Sequence, residues 1–277
     1  MRLGTALIDG RPTLVAALGD GLVALPGTLL GVLQRGEAAM CECAHLVALA
    51  ARGPPPLPMA PLLAPLIPGK ILGVGRNYAD HAKEVGGPLP TAPRIFLKPS
   101  SSVVGPGAAV RIPAAVTKPD WEAELAVVIG TRAQDVTAGE ALDYVAGYTV
   151  LNDISAREFQ FDQPLPMTSF AKGLDGFCPL GPWLVTADEV GEPWDLEVTC
   201  ALNGDEVQRG NTHDLIFAVP ALIAYLSRYM ALEPGDVIAT GTPAGSGHFR
   251  KPPRYLKSGD RLRLEVSRVG VLEHYIA

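Results

Sequence analysis

The chain has 277 residues, 48% of them apolar, a formal charge of −6, 30 glycines and 26 prolines. That length suits one large domain or one with a small companion, and the composition excludes disorder, coiled coil and collagen. There is no basic face for nucleic acid and no apolar run long enough to span a bilayer. Asp9 and Arg11 interrupt any signal-peptide core, and four cysteines do not make a disulfide scaffold, so the expectation is a cytoplasmic protein without a nucleic-acid or membrane partner.

In chain order, short apolar strands are expected around 2–8 and 13–18, and helical periodicity over roughly 38–51. Residues 53–69 (GPPPLPMAPLLAPLIPG) are too rich in proline for helix or sheet interior and read as an extended connection. This divides the chain into a small N-terminal domain (1–52), the connection (53–69) and a larger domain (70–277). Residues 70–75 form a strand, and 77–84 a helix stopped by Gly86-Gly87. Strands follow at 94–98, 102–104, 122–130 and 147–153, with a short helix at 137–145 capped by Thr137. Asn203-Gly204 marks a hairpin between 195–202 and 205–209. The longest helix is expected over 212–230, and a final hairpin over 261–276 turns near Gly270. Strands outnumber helices and no βαβ regularity is present, which predicts an α+β fold around a mixed, curled sheet.

Five groups of residues carry chemistry. Glu122 and Glu124, at i and i+2 of a strand, share one face, where they repel unless a cation lies between them; an exposed strand end is the plain alternative. Asp153, at the end of the strand 147–153, either forms a turn or adds a third carboxylate. Together the three make an all-oxygen set suited to Mg²⁺, Mn²⁺ or Ca²⁺. His81 and Glu84, at i and i+3 on a helix, can form a general-base pair or an exposed ion pair, on a segment hinged by Gly75-Arg76-Asn77-Tyr78 and Gly86-Gly87. Lys172, in a loop rich in Gly and Pro, can bind a carboxylate or steady an oxyanion; a surface lysine is the plain alternative. Arg157 and Gln160 can bind an acidic substrate or cap a helix. The turn Thr240–Gly247 either offers backbone N–H groups to an anion or is a plain flexible turn, and it lacks a P-loop ending. Cys41, Cys43 and His45 point around a helix and do not make a zinc site, and Cys178 has no neighbouring histidine to make it a nucleophile.

Six segments in series, GRNYADHAKE (75–84), IFLKPSSSVVGPG (95–107), DWEAELAVVIG (120–130), NDISAREFQ (152–160), SFAKGLDGFCPLGPWLVT (169–186) and GDVIATGTPAGSG (235–247), resemble the fumarylacetoacetate hydrolase family. The resemblance covers about 70–277 and implies the family's mixed β-roll in a homodimer. It places metal carboxylates on Glu122, Glu124 and Asp153, the lid dyad on His81 and Glu84, and the oxyanion lysine on Lys172. Substrate contacts fall on Arg76, Tyr78, Arg157, Gln160 and Thr242. Gly173, where many members have serine, is a small departure. The implied activity is Mg²⁺- or Mn²⁺-dependent hydrolysis of a C–C bond in an acylpyruvate-type 2-oxo acid, with water activated by the dyad and a pyruvate enolate as leaving group. Oxaloacetate decarboxylation, or isomerisation or dehydration of a related oxo acid, is the alternative on the same site. A non-catalytic binding protein is the reading from another class.

Overall fold

The computed structural model describes residues 1–277. Its strands divide into two main sheets, where the sequence suggested a single curled one. The larger has eleven strands, and its path runs Gly21–Ala24, Arg11–Leu18, Arg2–Ile8, Cys178–Thr186, Val145–Asn152, Ala123–Ile129, Val237–Ala239, Ile71–Gly75 and Arg94–Lys98. The smaller has five, in the order Asp205–Asn211, Glu197–Leu202, Arg261–Val266, Gly270–Ile276 and Ala109–Val110. Both are mixed: Val237–Ala239 runs parallel to Ile71–Gly75, and Gly270–Ile276 parallel to Ala109–Val110, while most other neighbours are antiparallel. With few and short helices the chain is α+β, as expected.

The strand Ala123–Ile129 is buried along its whole length. Its two-residue period sorts its side chains between two cores. Leu125, Val127 and Ile129 enter a core shared with Val198, Leu264 and Leu272 of the five-stranded sheet. Ala126 and Val128 enter a second core with Leu29, Val32 and Leu33 of the N-terminal region. Each large aliphatic side chain buried in this way contributes roughly 1.5–3 kcal/mol. Register is therefore fixed: a one-residue slip would exchange the faces and drive Glu124 toward the apolar side now occupied by Leu125.

The N-terminal strand Arg2–Ile8 pairs with Cys178–Thr186, with Leu3 opposite Leu184, so the large sheet is continuous across the proline-rich connection. A small N-terminal domain ending before 53–69 stands as a proposal about folding units. The helix Glu37–Ala50, at 14 residues, is the longest. The helix expected over 212–230 is shorter: a 3-10 turn at Thr212–Asp214 precedes a helix at Val219–Ser227. Pro220 limits that start, because its ring is tolerated only in the first turn of a helix. The expected helix at 137–145 is only a 3-10 turn at Ala141–Tyr144. Glu140 Oε2 still accepts from the Thr137 N–H at 3.2 Å, which is one half of a capping box, and from Thr137 Oγ1 at 2.7 Å. Asn203 and Gly204, at φ +57° and +90°, form the expected tight hairpin turn.

Candidate active site and metal centre

Ala123 lies opposite Asn152 in the antiparallel pair of core strands. That register sets Asp153 beside Glu122, and the Asp153 N–H donates to the Glu122 carbonyl at 2.9 Å. Oxygens of Glu122, Glu124 and Asp153 come within 4.8 Å of one another. The three residues are 5%, 1% and 0% exposed. Such a concentration of buried negative charge persists only when it is compensated.

Three buried cations supply most of that compensation. Lys172 Nζ donates to Glu122 Oε2 at 2.7 Å, Asp153 Oδ2 at 2.5 Å and Ser155 Oγ at 2.8 Å. Lys98 Nζ donates to Asp153 Oδ1 at 2.7 Å and to the Lys172 carbonyl. Arg157 pairs with Asp120 at 2.9 Å and Glu122 at 2.7 Å. Burial pushes the Glu122 carboxyl up, but Lys172 and Arg157 outweigh it and hold the group well below the ordinary carboxylate range.

Glu124 differs from its neighbours. No cationic side chain reaches it, and its one hydrogen bond comes from Gly241 N–H at 2.7 Å. Burial, reinforced by Asp153 and Glu122, drives its carboxyl well above the usual value. Four buried carboxylates (Asp120, Glu122, Glu124, Asp153) thus face three buried cations (Lys98, Arg157, Lys172), and the uncompensated charge sits on Glu124. A hard divalent cation held by oxygens of Glu122, Glu124 and Asp153 fits this donor set.

A short helix, Ala79–Val85, covers the opposite side. Asn77 anchors its root: Nδ2 donates to the Phe217 and Thr240 carbonyls, and Oδ1 accepts from Phe217 N–H. Arg76 Nη1 reaches the Gly86 carbonyl at 3.2 Å and so ties the two ends of the segment together. Gly86 and Gly87 both sit at positive φ, which ends the helix. His81 is 4% exposed, and its Nδ1 lies 3.0 Å from Glu84 Oε2.

The turn Thr240–Gly247 holds this helix in place. Ala244 N–H donates to Asp80 Oδ2 at 3.1 Å, and Gly245 N–H to Glu84 Oε1 at 3.0 Å. Gly247 and His248 N–H groups go to Asp120. The sequence leaves these N–H groups either to an external anion or to a plain flexible turn. They meet the protein's own carboxylates instead, because four acidic side chains converge on the turn. Between helix and sheet lies a cavity of about 300 Å³, lined by His81, Glu122, Glu124, Arg157, Gln160, Lys172 and Thr242 among others.

Residues 70–277 match the family described as fumarylacetoacetate (FAA) hydrolase, C-terminal. The chain belongs to this family. The human mitochondrial oxaloacetate tautomerase FAHD2A is 45% identical over 254 residues, which cover 90% of this chain and 79% of that protein. Fumarylacetoacetate hydrolase from the psychrophile Exiguobacterium antarcticum superposes with a TM-score of 0.88 at 36% identity, over 100% of this chain and 99% of that one. Maleylpyruvate hydrolase from Sphingobium sp. SYK-6, solved with manganese(II) and pyruvate, superposes with a TM-score of 0.83 at 31% identity, again over 100% and 99%. The relatives of this family member are thus enzymes, and no helix of the chain is long and apolar enough to cross a membrane.

The remaining site residues fall in three ways. Gln160, Thr242 and Arg76 line the cavity. Gln160 Oε1 accepts from Arg157, while its amide nitrogen has no partner in the chain; Thr242 Oγ1 donates to the Ala123 carbonyl and accepts from Gln208. Lys172 and Arg157 reach the cavity wall, yet both are buried in ion pairs with the carboxylates; Lys172, at the end of the helix Thr168–Lys172, directs its N–H groups to Glu122, Asp153 and Ser155 rather than into open space. Tyr78 contradicts its expected substrate contact: it is fully buried, does not line the cavity, and its hydroxyl has no hydrogen-bond partner. It caps the start of the lid helix, so the chain turns its ring into the core.

Sequence reasoning missed Lys98, Asp120 and Arg94. Asp120 carried a signal, since Asp120, Glu122 and Glu124 alternate, and its carboxylate takes four donors, from Trp121, Gly247, His248 and Arg157. Lys98 carried a weaker one, a lone lysine in the apolar strand Arg94–Lys98.

Proposed function

We propose that this chain is a divalent-metal-dependent enzyme that interconverts the enol and keto forms of a short 2-oxo acid of the oxaloacetate type. One observation carries this reading: the His81–Glu84 pair roofs the same cavity into which Glu122 and Glu124 open. Glu84 occupies Nδ1 of His81, which leaves Nε2, unbonded within the chain, as the atom that exchanges a proton with substrate carbon. A bound Mg²⁺ or Mn²⁺ would supply Lewis-acid polarisation of the 2-oxo group. Lys172 and Arg157 keep Glu122 ionised and Lys98 fixes Asp153, so the oxygen donors are preorganised. The Gln160 amide nitrogen is a neutral donor toward substrate oxygen, and Val85, Phe96 and Phe249 exclude water from the reacting carbon. The 45% identity to human oxaloacetate tautomerase supports this substrate class.

A second reading, hydrolytic cleavage of an acylpyruvate, is favoured by the likeness to a maleylpyruvate hydrolase. The same dyad would activate a water molecule. In that reaction Lys172 acts through the carboxylates it binds, since its N–H groups are already directed to them.

The test follows oxaloacetate enol–keto relaxation by ultraviolet absorbance with Mn²⁺ or Mg²⁺, beside pyruvate release from acetylpyruvate. The wild type is expected to accelerate the first, and His81→Asn to lower kcat about 10²–10⁴-fold while calorimetric Mn²⁺ affinity is kept. Relaxation at the uncatalysed rate with both metals rejects the reading; pyruvate release in its place establishes the hydrolytic one.

A further inference from the structure

The cavity lining carries both signs of charge. Its acids are Glu122 and Glu124. Arg76 and Arg94 line it too, at the end of the paired strands Ile71–Gly75 and Arg94–Lys98, beside Val74 and Ile95. Strand pairing brings the two arginines together: Arg94 is the cross-strand partner of Gly75, and Arg76 follows directly. Neither guanidinium has a carboxylate partner anywhere in the chain, and the one hydrogen bond either makes is from Arg76 to the Gly86 carbonyl. Every other cation of the cavity, Arg157 and Lys172, is matched to acids.

Two further features single out this pair. Arg76 holds φ +57°, a left-handed conformation uncommon for a non-glycine residue and kept only where the surroundings enforce it. Burial and the neighbouring Arg94 both lower the Arg76 pKa, the mark of like charges held close. An anion between them relieves that repulsion, and a guanidinium fork suits a carboxylate in particular.

We propose that Arg76 and Arg94 form the subsite for a second carboxylate, and so select 2-oxo dicarboxylates over 2-oxo monocarboxylates. The substrate lies across the cavity, its 2-oxo acid head toward Glu122 and Glu124 and its far carboxylate between the arginines. This deepens the proposed function and rests on it for the identity of the head group. Arg94 is exposed at the cavity mouth and Arg76 half-buried in the lid root, so the far carboxylate also touches the segment that closes the site.

The experiment has a binding arm and a kinetic arm. In the first, Mn²⁺-loaded protein is titrated calorimetrically with malate and with lactate, which share a 2-hydroxy acid head and differ in the second carboxylate. The wild type is expected to prefer malate at least about tenfold, and Arg94→Gln and Arg76→Gln each to reduce that preference about five- to tenfold. In the second, C3 proton exchange of oxaloacetate and of 2-oxobutanoate is followed by NMR in D₂O. The ratio of their KM values is expected to collapse by the same factor in each variant. Equal binding of malate and lactate by the wild type overturns the subsite, as does a preference unchanged within about twofold in both variants with native circular dichroism. If the wild type exchanges neither oxo acid, the proposed reaction fails, while the malate–lactate ratio still decides the subsite.

Discussion

The floor and the lid of the cavity are built on opposite principles. The floor carboxylates stand at the ends of core strands and are almost wholly buried, and all but Glu124 are held by three buried cations. The lid is a seven-residue helix, too short to be stable alone, held down mainly by hydrogen bonds from the turn Thr240–Gly247 to Asp80 and Glu84. Breaking the floor leaves charges stranded in a low-dielectric interior; breaking the lid exposes groups that water can satisfy. The difference suits a rigid ion site beneath a cover that opens for substrate.

The sharpest division comes from two carboxylates within the floor. Asp153→Ala removes the shared partner of Lys98 and Lys172 and is expected to cost about 3–5 kcal/mol in urea unfolding with EDTA present. Glu124→Gln strands no cation, so it is expected to abolish calorimetric Mn²⁺ binding without loss of metal-free stability. An Asp153→Ala protein as stable as wild type would break the account of the floor.

A smaller effect is expected at the lid. Asp80→Ala removes the acceptor for Ala244 and His81 N–H groups, a loss of about 1 kcal/mol. KM is expected to rise about fivefold and limited proteolysis between residues 76 and 87 to accelerate by a similar factor, with Mn²⁺ affinity unchanged. A parallel fall in Mn²⁺ affinity would mean that floor and lid are one unit.

The smallest effect is the pH dependence of Glu124. Its folded pKa is raised, so the folded state holds that proton more tightly than the unfolded chain does. Its contribution is complete below the ordinary value of 4.5 and is lost as pH rises through the raised value. Glu124→Gln removes the loss. With EDTA, its Tm is therefore expected to gain on wild type by a few degrees as pH rises from about 5 to 9. A gap that stays constant over that range contradicts the uncompensated charge.

Local chemistry explains what could be read early. The Glu122–Glu124 spacing declared a shared face, because strand side chains alternate whatever surrounds them. His81 and Glu84 declared a pair, because three residues bring side chains together on any helix. Asn203-Gly204 declared its turn for the same local reason. The lengths of 137–145 and 212–230 were misjudged because periodicity alone does not fix helix ends. Tyr78, placed among the substrate contacts by resemblance, is buried instead, because a shared motif does not fix which side of the backbone faces the cavity.

The sequence alone thus determined the α+β class, the two carboxylates on one strand face and the dyad on one helix, all properties of a few neighbouring residues. Tertiary structure decided which donor meets which acid: Lys98 and Lys172 on Asp153, Arg157 on Asp120 and Glu122, the N–H groups of the glycine-rich turn on Asp80, Glu84 and Glu124, with no cation on Glu124 and no acid between Arg76 and Arg94. Those pairings join residues separated by up to 164 positions. Charge interactions depend on distance and burial, which only the folded chain sets.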